Sequence, residues 1–103
     1  MIRMDVRTVA EITGGHLMQN GASVEFQGIS TDSRTLQPGE LFIPLRGENF
    51  DGHDYLTQAI KRGAAACLSE EMIGGLLVPV VKVKDTLKAL GDLAAASRRQ
   101  FSG

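Results

Sequence analysis

The chain has 103 residues, enough for one compact domain and too few for two. Eleven Lys and Arg residues against twelve Asp and Glu residues give a net charge of −1, which argues against a nucleic-acid-binding protein because such proteins carry strongly basic surfaces. Hydrophobic residues make up 43% of the chain, yet no apolar run approaches the roughly 20 residues of a membrane span, and the N-terminus lacks a secretory signal. These properties predict a cytoplasmic globular domain with no nucleic-acid or membrane partner.

Neither the cysteine nor the histidines indicate a metal or redox centre, so no metal ligand is predicted. Cys67 is the single cysteine and lies in an apolar segment, which favours a buried and unreactive thiol. His16 and His53 are far apart and form no metal-binding pattern. His53 has Asp51 and Asp54 beside it, but no nucleophile is indicated, so we expect a capping or packing role and no catalytic residue.

The first half of the chain predicts one helix and three strands. A helix is expected over residues 5–13, because Asp5 can cap it and a glycine pair follows it. Strands are expected at residues 16–18 and 23–31, with a turn at Asn20 and Gly21 between them. A third strand is expected at residues 41–45, where Pro44 favours an edge position or a strand end.

The second half predicts a helix over residues 54–62 that stops at Gly63, buried strands at 64–69 and 78–83, and a final helix over 85–100 capped by Asp85. The apolar stripe of the final helix is predicted at Leu87, Leu90, Leu93, Ala94 and Phe101. The alternation of strands and helices predicts an α/β fold, a single small domain with a mixed β-sheet flanked by helices.

Residues 31–34 are a first candidate ligand site, because they follow a strand and strand ends commonly bind ligands in α/β sheets. The hydroxyls of Thr31 and Ser33 can donate and accept hydrogen bonds, and Arg34 can face a phosphate or a carboxylate. The alternative is a turn in which Asp32 and Ser33 bond their own backbone, and these residues by themselves favour it.

Residues 46–53 are a second candidate, a polar loop whose backbone amides and Phe50 ring suit a flat heterocycle. The alternative is a solvated connection in which Asp51 or Asp54 caps the next helix, and the two interpretations are about equally favoured. The sequence has no G-x-x-x-x-G-K-[ST] phosphate loop and no G-x-G-x-x-G fingerprint, so nothing in it is expected to activate ATP. Five basic residues are predicted to form a solvated face and not an anion site: Lys82, Lys84, Lys88, Arg98 and Arg99.

Taken in order, the segments ISTDSR at 29–34, QPGELF at 37–42, LRGENFDGHDY at 45–55 and QAIxxGA at 58–64 form one pattern. The pattern covers most of the chain and resembles the N-terminal domain of the Mur ligases, which build the peptide of bacterial peptidoglycan. The segment VKVKDTLxALGDLA at 81–94 is most similar to the branch that adds D-alanyl-D-alanine, the MurF ligases. The alternative is the MurE branch, which adds the third peptide residue.

The resemblance implies that this domain binds the uridine-diphosphate end of UDP-N-acetylmuramoyl-tripeptide and is not catalytic by itself. In the family, a central domain holds ATP and Mg²⁺ and a C-terminal domain helps to bind the incoming group. The whole enzyme would join the two substrates through an acyl-phosphate. The resemblance implies that both further domains are partners of this one and are absent from this chain, which is expected to end about where the central domain would begin. An interaction module that kept the fold without catalysis is an alternative of a different class.

Transferred by position, the resemblance places the uridine contacts on two segments of this sequence. They are Thr31 and Ser33 in the first segment and Glu48, Asn49 and Phe50 in the loop. Arg34 and Arg46 also match family positions, although structural ion pairs would explain them equally well.

Overall fold

In a computed structural model, the chain is described over residues 3–18, 23–47, 51–72 and 75–101. The strands of this part are β1 (Arg3–Asp5), β2 (His16–Leu17), β3 (Glu25–Gln27), β4 (Ile29–Ser30), β5 (Leu41–Phe42), β6 (Ala66–Ser69) and β7 (Val80–Lys82). The helices are α1 (Val6–Thr13), α2 (Leu56–Lys61) and α3 (Thr86–Phe101), and a 3-10 turn over Gly52–Tyr55 leads into α2. The turn predicted at Asn20 and Gly21 and the side chains of Arg98, Arg99 and Phe101 lie outside what the structure describes.

The main sheet has five strands in the order β2-β7-β6-β5-β4. The strands from β4 to β7 run parallel, whereas β2 pairs with β7 in the antiparallel direction. β1 and β3 form a separate antiparallel ribbon. The predicted α/β domain with a mixed sheet is therefore confirmed.

Alternation along the strands divides the core between two faces of the sheet. On one face, Leu41 and Leu68 belong to a buried cluster that includes residues of α1 and α3. On the other face, Phe42 and Cys67 pack in a second cluster with residues of α2. Helices thus cover both faces of the sheet, as expected for parallel strands. Burial raises the pKa of the Cys67 thiol to about 12, which confirms the predicted buried thiol.

The single strand predicted at residues 23–31 is wrong, because Gly28 divides it. Gly28 has φ +88°, a left-handed conformation that side chains disfavour, and the chain passes there from the ribbon to the main sheet. β3 consequently pairs with β1, which the sequence did not predict, while β4 pairs with β5. The strand predicted at 41–45 is shorter than expected, and Pro44 follows its end. β5 itself lies between β4 and β6 and is not an edge strand.

The capping predictions for the first and last helices are confirmed. The Asp5 carboxylate accepts from the backbone N–H of Thr8 at 2.8 Å, and Gly14 ends α1 in a left-handed conformation at φ 68°. Asp85 caps α3 by accepting from the N–H of Leu87 at 2.9 Å.

The predicted stripe of α3 is wrong at Leu87, whose surface is 66% exposed. Leu93 is buried as predicted, and Leu90 and Ala94 are half-buried. Over residues 86–96, whose burial the structure describes, Thr86 and Ala89 are also buried, and they share one face of the helix with Leu93 at spacings of three and four. Within the described ranges, no helix is long and apolar enough to cross a membrane.

Candidate functional site

A cavity of about 400 Å³ lies where the parallel strands β4 and β5 end. Its lining comes from the segment after β4, from β5 and the residues after it, and from the 3-10 turn. The lining residues are Thr31, Asp32, Ser33, Arg34, Phe42, Leu45, Gly52 and Tyr55. Its volume falls within the range of small-molecule sites, and the carboxyl ends of parallel strands are where α/β sheets commonly bind ligands.

The segment after β4 is held by a turn around Asp32. The Asp32 carboxylate accepts from the backbone N–H of Arg34 at 2.8 Å and from its Nε and Nη2 atoms at 3.1 and 3.0 Å. These hydrogen bonds lower the pKa of Asp32 and raise that of Arg34. The turn that the sequence offered as an alternative to a ligand site is therefore present at Asp32, and it forms part of the cavity wall.

The three candidate side chains of this segment differ in exposure. Thr31 is exposed, and the Arg34 side chain is 85% exposed at the same cavity. Ser33 is buried, and its hydroxyl donates to Oε1 of Gln58 in α2 at 3.4 Å instead of bonding its own backbone. That distance is long for a hydroxyl donor, so the Ser33 hydroxyl can exchange this partner for a better one.

Within the second candidate segment, residues 46–53, a backbone bridge joins Arg46 and Asp51. Glu48, Asn49 and Phe50 lie outside the described residues, and their predicted uridine contacts stay predictions. Immediately beyond the bridge, the N–H of Gly52 donates to the carbonyl of Leu45 at 2.7 Å. The two ends of this segment are therefore fixed beside the cavity.

Arg46 contacts three carboxylates and does not line the cavity. Its Nε lies 3.1 Å from Asp51, its Nη1 2.6 Å from Glu70 and its Nη2 3.3 Å from Glu71. The hydrogen bond that Arg46 donates to the Asp51 carboxylate is the main reason why the pKa of Arg46 is raised. Arg46 therefore forms structural ion pairs, which was one of the two roles that the sequence left open for it.

Asp51 and His53 meet at the start of the 3-10 turn. Asp51 Oδ1 accepts from the backbone N–H of His53 at 2.9 Å and lies 2.6 Å from its Nδ1. Partial burial raises the pKa of Asp51, but the hydrogen bonds from His53 and Arg46 outweigh it and lower the pKa to about 2. The Nε2 atom of His53 accepts from the backbone N–H of Glu70 at 2.9 Å, so the ring carries its proton on Nδ1. Asp51 is the predicted cap, and both ring nitrogens of His53 are engaged within the fold.

Gly52 belongs to the second candidate segment, whereas the sequence did not identify Phe42, Leu45 and Tyr55 as cavity residues. Tyr55 is 42% exposed and offers a ring to a ligand. The parallel order of β4 and β5 brings these residues together, and a sequence pattern does not encode strand order. Among the residues that the structure describes, no group of three or more His, Cys, Asp or Glu side chains is placed to hold a metal ion.

Comparisons with known proteins agree with this architecture. Residues 25–98 match the model of the Mur ligase family, catalytic domain. The UDP-N-acetylmuramoyl-tripeptide–D-alanyl-D-alanine ligase of Escherichia coli is 40% identical over 100 residues, which are 97% of this chain and 22% of the relative. The UDP-N-acetylmuramoyl-L-alanyl-D-glutamate–2,6-diaminopimelate ligase of Phocaeicola vulgatus is 39% identical over 89 residues, 84% of this chain and 17% of the relative.

A solved structure shows the same fold. The crystal structure of MurF from Acinetobacter baumannii superposes with a TM-score of 0.85 at 30% identity, over 97% of this chain and 22% of that one. The resemblance predicted from the sequence, and its preference for the D-alanyl-D-alanine-adding branch, are confirmed. The chain spans about a fifth of the length of these ligases.

Proposed function

Since the chain belongs to the Mur ligase family, we propose that it is the substrate-anchoring domain of a peptidoglycan-precursor ligase. In this proposal it binds the uridine-diphosphate end of UDP-N-acetylmuramoyl-tripeptide. The observation that carries the proposal is the cavity at the ends of β4 and β5, where Thr31, Ser33 and Arg34 line one space. A sequence pattern of this family and a cavity of suitable size thus coincide on the same residues.

The lining suits the separate parts of a uridine nucleotide. The hydroxyls of Thr31 and Ser33 can both donate and accept, which is the chemistry needed to bind a sugar or the edge of a pyrimidine. Tyr55, which is 42% exposed, contributes apolar ring surface for the flat base. Arg34 is the cation of the lining, and a diphosphate would share it with Asp32 or displace Asp32 from it.

We place ATP and Mg²⁺ on the remainder of a longer protein and assign no step of the chemical reaction to this chain. The sequence has no phosphate loop, and the described residues include no cluster of metal ligands. In the whole enzyme, ATP would activate the terminal carboxylate of the peptide as an acyl-phosphate, which the incoming amine then attacks.

Anchoring a nucleotide far from the reacting carboxylate still contributes to catalysis. Binding energy gained at the uridine end holds the peptide end in place, so the attacking and leaving groups lose their translational freedom before the chemical step. We propose that the whole ligase adds D-alanyl-D-alanine, because the similarity to the MurF branch extends over nearly all of this chain.

A nitrogen–proton NMR titration of the 103-residue chain with UDP tests the proposal. We expect saturable shifts of the amides of residues 31–34 and of Gly52 and Tyr55, and larger shifts with UDP-N-acetylmuramoyl-tripeptide. ADP serves as the control for the base and should bind more weakly. A well-dispersed spectrum that UDP leaves unchanged at millimolar concentration would contradict the proposal and favour an interaction module.

Matched variants assign the contacts. Thr31→Ala should weaken UDP binding by about 5- to 10-fold, the value of one hydrogen bond. Thr35→Ala, an exposed threonine outside the cavity lining, should leave the dissociation constant unchanged. Tyr55→Ala should weaken binding through lost ring contact, whereas Tyr55→Phe should retain it. Equal changes in the dissociation constant for Thr31→Ala and Thr35→Ala would show that Thr31 does not contact the ligand.

A further inference from the structure

We propose that Glu70, which lies outside the cavity, is a positioning residue that holds one wall of the cavity and links that wall to the start of α3. The expected effect of Glu70 on nucleotide affinity rests on the proposed function. The structural basis of the inference is a closed ring of hydrogen bonds outside the cavity, to which the proposed function assigns no role.

The ring joins four residues from three segments of the chain. Arg46 Nε donates to Asp51 Oδ2 at 3.1 Å, and Asp51 Oδ1 lies 2.6 Å from Nδ1 of His53. The Nε2 atom of His53 accepts from the backbone N–H of Glu70 at 2.9 Å. Arg46 Nη1 then closes the ring by donating to Glu70 Oε1 at 2.6 Å. Each member therefore has two partners in the ring. For Arg46, Asp51 and His53 both contacts are made by the side chain, whereas Glu70 contributes its backbone N–H and one carboxylate oxygen.

Glu70 also bonds outside the ring, to the first residue of α3. Its second oxygen, Oε2, accepts from the backbone N–H of Thr86 at 2.8 Å and from the Thr86 hydroxyl at 3.1 Å. Thr86 is buried, and the Glu70 side chain is only 16% exposed. One carboxylate thus contacts the ring through one oxygen and the N-terminus of α3 through the other.

The ring is adjacent to the cavity wall at two points. Arg46 follows Leu45, and Asp51 precedes Gly52. The N–H of Gly52 donates to Leu45 at 2.7 Å, and both residues line the cavity. A displacement of Arg46 or Asp51 would therefore also displace Leu45 or Gly52, which are bonded to them along the backbone and line the cavity.

This position requires a side chain with two acceptor oxygens. Oε1 of Glu70 accepts from the Arg46 guanidinium and Oε2 accepts from the backbone N–H of Thr86, and neither of these N–H groups can accept a hydrogen bond. A glutamine would turn its NH₂ group either to Arg46 or to Thr86, and one donor would then face another donor. Glu71 also accepts from Arg46, at 3.3 Å, but it is 57% exposed and outside the ring. It supplies a matched control.

The test compares Glu70→Gln with Glu71→Gln by NMR and UDP titration, well below the melting temperature. For Glu70→Gln we expect the amides of Gly52, Tyr55 and Leu87 to shift before any ligand is added, and UDP affinity to fall by about 3- to 30-fold. For Glu71→Gln we expect less than about a 2-fold change. Thr86→Val, which removes one hydroxyl donor far from the cavity, provides a milder variant and should also shift the amide of Gly52.

The outcomes separate this inference from the proposed function. If the unsubstituted chain binds UDP and Glu70→Gln binds it equally well with the Gly52 amide unmoved, the positioning role is overturned and the anchoring function stands. If Glu70→Gln and Thr86→Val both shift the Gly52 amide but the unsubstituted chain does not bind UDP, the link from Glu70 to the wall is supported and the anchoring function is overturned. A loss of stability by itself would lower the melting temperature without changing the affinity of the folded protein.

Discussion

Substituting Gly52 by alanine is the sharpest test of how the cavity wall is built. A Cβ atom at this position would lie 2.7 Å from the nitrogen of Leu45, 2.9 Å from its oxygen and 2.9 Å from the Cα atom of Pro44. All three are backbone atoms, so no side chain can rotate away to make room. The backbone at Gly52 would have to move away from the backbone of residues 44–45. This movement would stretch the hydrogen bond that the N–H of Gly52 donates to the Leu45 carbonyl at 2.7 Å.

The expected magnitude for Gly52→Ala follows from these contacts. Overpacking of this kind costs about 1–3 kcal/mol, and weakening the Gly52 hydrogen bond adds about 1 kcal/mol. The free energy of unfolding should therefore fall by about 2–4 kcal/mol. For a domain of this size the melting temperature should fall by roughly 10–20 °C. UDP affinity should fall as well, because Leu45 and Gly52 both line the cavity.

Urea unfolding of Gly52→Ala and Gly91→Ala provides the measurement and its control. Gly91 lies within α3, and a Cβ atom there meets nothing within 4 Å. Alanine is favoured over glycine in a helix by about 0.8–1 kcal/mol, so Gly91→Ala should stabilise the protein by that amount. A change of less than about 0.5 kcal/mol for Gly52→Ala, the usual range for an unconstrained surface position, would refute the close backbone contact.

Three further outcomes are expected from burial and charge. Iodoacetamide should modify Cys67 only as fast as the protein unfolds, because the thiol is buried and its pKa is raised to about 12; rapid modification of the folded protein would contradict this. In urea unfolding, Leu93→Ala should lower the free energy of unfolding by about 2–5 kcal/mol and Leu87→Ala by less than about 0.5 kcal/mol, because the Leu93 side chain is buried and the Leu87 side chain is exposed. Similar values for the two variants would indicate that Leu87 is buried, as the sequence predicted. The pKa of Asp51 is lowered from 3.8 to about 2 in the folded protein, so its contribution to stability is complete above about pH 4 and is lost as the pH falls through 2. Asp51→Asn should accordingly lose less stability than the unsubstituted protein between pH 4.5 and pH 2, and equal losses would show that His53 and Arg46 do not stabilise the ionised form.

Features that depend on neighbours in sequence were predictable. Asp5 and Gly14 bound α1 as expected, because a cap and a left-handed glycine act within one helical turn. The apolar segment around Cys67 formed the buried strand β6, since a short continuous apolar run favours a strand that is buried on both faces. Residues 31–34 could be identified as a polar segment at the end of a strand, and the turn at Asp32 also follows from local chemistry.

The sequence by itself therefore determined the helix ends, the α/β class and the family, because capping, periodicity and a motif in fixed order are properties of residues close together in the chain. Only the tertiary structure decided that Gly28 sends the two halves of one apparent strand into different sheets, and that Glu70 meets Arg46 and His53. It also brought Tyr55 and Gly52 to the same cavity as Thr31. The reason is physical: these contacts join segments that are 12 or more residues apart, and burial of the two faces of the sheet selects among such pairings, which no local pattern distinguishes.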